Sequence, residues 1–102
     1  MLAPAIAVCA SVTKVLVSGN RLGDAGTTIL CDALRESTVT KVQELGLSNN
    51  SIGPEGAKAV AAMAAVVASM TWLDVKYNSL GKEGEAALRK AIEGRSGFEL
   101  LL

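Results

Sequence analysis

Leu45-Gly46-Leu47-Ser48-Asn49-Asn50-Ser51-Ile52-Gly53-Pro54-Glu55-Gly56 is the stretch on which the fold turns. Leu45 and Leu47 flank a single residue, the period of two expected of a short strand with one buried face. Asn50 stands where that strand has to end. Gly53 and Gly56 then open a run of residues with helical spacing, and Pro54 occupies the position that suits a first helical residue. Strand, turn and helix thus follow within a dozen residues. The same frame recurs on either side. Upstream it reads Val12, Val15, Val17, Asn20, Leu22, Gly23, Gly26, Leu30, Leu34; downstream it reads Met70, Leu73, Val75, Asn78, Leu80, Gly81, Gly84, Leu88, Ile92. The central copy completes it with Val42, Val60 and, less cleanly, Ala64.

The asparagines lie 30 and then 28 residues apart, at 20, 50 and 78. A fixed period in this range means a solenoid whose units bury their apolar faces against one another. The expected fold is α/β, with a parallel sheet on one side and helices over 23–37, 53–69 and 81–93 on the other. Helices are about 10–12 Å wide and strands about 4.8 Å apart, so the stack curves with its strands on the concave side. Asp24, Glu55 and Glu83 fall in first turns, where negative charge favours the helix dipole. Gly94 ends the third helix, on which Glu85 and Arg89 are spaced to pair. Asn20, Asn50 and Asn78 are structural residues: a buried amide donates and accepts where the turning backbone loses ladder partners. The repeated Gly-x-x-Gly reads as a turn requirement rather than a nucleic-acid clamp, since it occurs once per unit at a fixed place.

Toward the N-terminus, Ala7-Val8-Cys9-Ala10 aligns with Ala65-Val66-Val67-Ala68, so residues 1–11 are expected to be the end of a preceding repeat helix and the chain to be a fragment. Residues 12–41, 42–69 and 70–97 are the repeats of one domain. Residues 98–102 continue the frame as a terminal strand, with Phe98 set against Met70 and Leu101 against Leu73. The linker 35–41 is two residues longer than its counterpart, so Val39 competes with Val42 for the strand start.

With its repeats laid out, the chain resembles the ribonuclease-inhibitor-like class of leucine-rich repeats, which is also found in NOD-like receptors, Ran GTPase-activating proteins and tropomodulin-like proteins. The matching motif, Leu-x-Leu-x-x-Asn-x-Leu-Gly-x-x-Gly, is carried by the stretch quoted first, with Ile52 in place of the third leucine. The resemblance implies a horseshoe segment. It leaves function open, because one repeat architecture serves many partners. By analogy with Ran GTPase-activating proteins, a regulatory action on a small GTPase is one alternative, and a spacer within a longer array is another.

Composition narrows the choice. Half of the 102 residues are hydrophobic and 20% are charged, the balance of a packed chain. Ten basic residues offset ten acidic ones and aromatics make up 3%, so neither nucleic acid nor an anionic membrane is an expected partner. The chain contains no histidine, and no nucleophile, base and orienter assemble; no enzyme activity, cofactor or metal is expected. Cys9 and Cys31 fit no zinc or redox spacing and read as small buried hydrophobes in a reducing, cytoplasmic setting. The apolar opening, residues 1–12, lacks a positive n-region and falls short of the roughly 20 residues that span a bilayer. Leu2, Ile6 and Val8 on that uncapped end invite self-association.

Function is expected on the concave strands, where side chains between the buried positions face solvent. Their predicted columns are Lys14, Glu44, Trp72, Leu100; Leu16, Gly46, Asp74, Leu102; and Ser18, Ser48, Lys76. Lys14, Leu16, Glu44, Trp72, Asp74, Lys76 and Tyr77 are therefore the candidate residues for binding a protein partner, with Trp72 as the anchor. The central helix has apolar residues all round. Either Ala61, Ala62, Ala65 and Val66 form an exposed contact face, or its alanines simply permit tight packing. The second reading is preferred.

Overall fold

A computed structural model describes residues 12–37 and 41–102. Its elements alternate: β1 (Lys14–Leu16), α1 (Gly23–Glu36), β2 (Glu44–Gly46), α2 (Pro54–Val66), β3 (Trp72–Asp74), α3 (Gly81–Ala91) and β4 (Glu99–Leu101). The strands form one parallel sheet in the order β1-β2-β3-β4. α1 packs on α2 and α2 on α3. The result is an α/β solenoid of stacked strand–helix units, the architecture that the repeat predicts. Between the layers lie Leu34, Val42, Leu45, Leu47, Ile52, Val60, Met63, Met70, Leu73, Val75 and Leu88, all of them essentially inaccessible to solvent.

The strands are short, yet pairing continues past them. Val17 N–H donates to Gly46 O at 3.0 Å, Leu47 N–H to Asp74 O at 2.8 Å and Asn49 N–H to Lys76 O at 3.0 Å. Beyond this asparagine side chains take over. Asn50 Oδ1 accepts from the backbone N–H of Asn20 (2.8 Å) and Leu22 (3.3 Å), while its Nδ2 donates to Val17 O (3.0 Å) and Ser48 O (3.2 Å). Asn78 repeats the arrangement one unit on. Its Oδ1 accepts from Asn50 N–H (2.9 Å) and Ile52 N–H (3.0 Å), and its Nδ2 donates to Leu47 O, Val75 O and Lys76 O. Each amide fastens its own turn to the preceding one. Asn20 is different: it is exposed, and its Nδ2 donates to Val17 O and Ser18 O within its own turn.

Gly-x-x-Gly does two jobs rather than one. Gly23 and Gly81 adopt φ of 64° and 71°, a left-handed backbone that serves a turn. Gly53, before Pro54, has φ of −98° and needs no such freedom. The second glycine permits close approach between units. A Cβ on Gly84 would lie 2.8 Å from the Ala57 methyl, and one on Gly56 would lie 2.5 Å from Asp24 Oδ1.

α2 is capped from outside. Its N-cap, Gly53, has no side chain to offer, and its last turn holds no basic residue. Asp24 of α1 supplies the first cap: its Oδ1 accepts from Gly53 N–H at 2.6 Å and Gly56 N–H at 3.0 Å. Arg95 supplies the second. From beyond α3 its guanidinium donates to the carbonyls of Ala64, Val67 (3.2 Å), Ala68 (3.3 Å) and Met70 (2.6 Å), and it lies 5.0 Å from the centre of the Phe98 ring. This explains why α2 stops at Val66 rather than at residue 69. The carbonyls released after it are bound by Arg95, and Met70 N–H turns back to Val67 O. α3 likewise ends at Ala91, two residues early, and α1 at Glu36.

Ala61 is buried at 7% exposure, because α2 is flanked by a helix on each side, in keeping with the preferred reading of tight packing, although Ala65 and Val66 do reach the surface. The terminal strand is shifted by one residue: Glu99 pairs with Trp72, Leu100 with Leu73 and Leu101 with Asp74. The third unit is therefore 27 residues long, from 72 to 99, against 28 for the second, from 44 to 72. Its return is tightened by the shorter α3 and by left-handed turns at Gly94 (φ 82°) and Gly97 (φ 80°). Cys31 is a buried free thiol whose pKa is pushed up to about 12 by burial and, secondarily, by the charge of Asp32. Val39, Cys9, Leu2, Ile6 and Val8 lie outside the described residues.

Candidate functional site

The sheet presents its open face in two registered rows. Lys14, Glu44, Trp72 and Glu99 form the first; Leu16, Gly46, Asp74 and Leu101 form the second. Lys14 and Glu44 meet as lateral neighbours, Nζ to Oε2, at 3.4 Å. Lys14 is largely solvated and Glu44 partly so, and the pair contributes no more than about 1 kcal/mol to stability.

The centre of the face is apolar because Gly46 carries no side chain. Leu16, 64% exposed, leans over it from β1, and the Trp72 ring approaches from β3. A Cβ at Gly46 would lie 2.9 Å from Leu16 Cδ2 and 3.8 Å from Trp72 Cζ3. An alanine here would push Leu16 aside and sit in ordinary contact with the Trp72 ring. Trp72 is half-buried by this arrangement, with the rest of its ring left to solvent. Asp74 has a local task as well: its Oδ1 accepts from Lys76 N–H at 3.0 Å and holds the start of the turn.

Five of the seven candidate residues, Lys14, Leu16, Glu44, Trp72 and Asp74, thus share one sheet face, and half-buried Lys76 follows directly on it. Tyr77 stands apart, on the turn toward α3. It is 79% exposed and has φ of 59°, at the position that Gly19 (φ 73°) and Asn49 (φ 55°) fill in the other units. Glycine and asparagine tolerate this conformation, whereas a tyrosine is strained in it.

Leu100 and Leu102 do not occupy the columns expected of them. Their places are taken by Glu99 and Leu101. The signal was available in the segment itself: Glu99 is the one charged residue of 98–102, and a charge belongs on the solvent face. Among the described residues no group of acidic, cysteine or histidine side chains could hold a metal ion. No described helix is long and apolar enough to cross a membrane.

A family model described as "Leucine Rich repeat" matches residues 40–61. Ribonuclease inhibitor from Mus musculus is 34% identical over 87 residues, which is 85% of this chain and 19% of that protein. NACHT, LRR and PYD domains-containing protein 3 from Macaca mulatta is 31% identical over 83 residues, 81% of this chain and 8% of the relative. The chain therefore spans less than a fifth of the length of either relative. Among solved structures, "Leiomodin-1 Actin-Binding Site 2 (ABS2)" superposes with a TM-score of 0.76 at 24% identity, over 88% of this chain and 52% of that one. That last likeness is one of fold.

Proposed function

Because the chain is built of leucine-rich repeats of the ribonuclease-inhibitor-like class, we propose that it is a protein-interaction module that engages its partner on the open strand face. The observation that carries this reading is the approach of Leu16 and Trp72 to Gly46 from the two neighbouring strands. Two large apolar side chains thus border one glycine at the centre of a solvent-facing sheet, ringed by Lys14, Glu44, Asp74 and Lys76. An apolar centre with a polar rim is how protein interfaces are organised, and tryptophan is enriched among the residues that dominate their energetics. Tyr77 extends the same surface at its edge; backbone strain held at an exposed aromatic is a pointer to function. Two of the similar proteins are named for a protein they engage, ribonuclease in one case and actin in the other. Neither name identifies the partner of this chain.

The test is a binding comparison. The protein is used to capture partners from cell extract, the captured protein is identified, and its affinity is measured with purified components. Trp72→Ala should weaken that binding at least tenfold while leaving the urea midpoint within the range expected for a half-exposed side chain. A partner bound equally by wild type and by the folded variant would move the site off this face.

A further inference from the structure

The charges around Trp72 are lopsided. In the first row Trp72 is registered between two acidic residues, Glu44 on β2 and Glu99 on β4, on strands whose backbones lie about 4.8 Å to either side. Asp74 lies two residues further along β3 on the same face. Of the three, only Glu44 has a cation at hand, in Lys14. Glu99 and Asp74 take part in no ion pair among the described residues. Lys76 follows Asp74 two residues further along the chain, beyond the end of β3.

Three kinds of occupant can be compared. A purely apolar segment laid on Trp72 would bury the Glu99 carboxylate unpaired and leave that of Asp74 with no cation, only the Lys76 N–H, which is costly for an ionised group. An acidic segment would add like charge. A cationic side chain meets both requirements at once: it stacks on the electron-rich face of the indole and approaches flanking carboxylates. Among cations the guanidinium fits best, being planar for stacking and forked for two carboxylate oxygens.

We propose that Trp72, Glu99 and Asp74 form a receptor for an arginine side chain carried by the partner protein, with Glu44 as a fourth wall shared with Lys14. This inference rests on the reading of the strand face as the binding surface and names the chemistry that the face selects.

Trp72 is the only tryptophan in the chain, so its emission reports on this site and no other. Capped tetra-arginine, tetra-lysine and tetra-glutamate peptides are titrated into the intact protein at low salt while that emission is followed. The expected result is a saturable change with tetra-arginine, weaker with tetra-lysine and absent with tetra-glutamate. Glu99→Gln combined with Asp74→Asn should weaken the arginine response at least fivefold. The amide introduced by Asp74→Asn keeps an oxygen to accept from Lys76 N–H, so the turn is preserved, and an unchanged circular dichroism spectrum and urea midpoint verify it. Glu83→Gln on the helix side should change nothing. An emission response equal for the arginine and glutamate peptides, or one indifferent to the paired substitution, overturns the proposal. The two readings fail separately. A purified partner that loses affinity with Trp72→Ala but not with the Glu99→Gln, Asp74→Asn variant refutes the arginine receptor and leaves the binding face standing.

Discussion

Asn50 makes four hydrogen bonds in a site with no solvent exposure, and three of them reach backbone of the preceding unit. Its replacement by alanine strands two N–H groups and weakens the pairing of two carbonyls. Asn50→Ala should therefore lower stability by about 1–3 kcal/mol, the penalty of leaving buried polar groups unpaired. Asn20→Ala should cost clearly less, because Asn20 is exposed and its amide serves only its own turn. Urea denaturation of the two variants side by side makes the comparison, and equal midpoints would contradict it. The three asparagines look interchangeable in the sequence because the spacing marks their common place in the turn. Spacing carries no information on how deeply each amide is buried, and burial sets the cost of removing it. The candidate binding residues follow the same rule. Lys14, Glu44 and Trp72 were legible from alternation alone, whereas Glu99 was hidden by a one-residue contraction that alternation does not register.

At the scale of the element, α2 is the informative case. The periodicity and Pro54 place its start correctly, but nothing within its own sequence explains how its ends are satisfied. The answer lies about 30 residues away on each side. Asp24 accepts from the N–H groups at its beginning and Arg95 donates to the carbonyls beyond its end. Asp24 is legible in the sequence only as a helpful charge in the first turn of its own helix; its contact with the next helix depends on how closely Gly56 lets the two approach. Asp24→Ala should destabilise the protein by about 0.5–2 kcal/mol, the range for loss of a helix cap. The loss should appear in α2 rather than in α1, as faster amide exchange at Gly53 and Gly56. Unchanged exchange at both would show that the carboxylate is not acting as a cap.

On the scale of the whole molecule, each unit touches only its neighbours, so stability is a sum of unit and interface contributions. Damage at one interface should stay local before it becomes global. Arg95→Gln removes charge-assisted bonds to the loop after α2 and should accelerate amide exchange in the last turn of α2 and in the β3 segment that follows. Residues of α1, two interfaces away, should exchange as in wild type at low denaturant. Uniform acceleration across α1, α2 and α3 would mean that the chain opens only as a single unit. The borrowed caps also bear on how such a chain can be lengthened. In a tandem array of residues 42–69 alone, the position of Asp24 would be filled by Pro54 and that of Arg95 by Ala68. Every helix of that array would be bare at both ends. The smallest portable module is therefore not one repeat but the central repeat together with the edges of the two that flank it, and a builder copying the most regular-looking unit would copy the one least able to stand among its own kind.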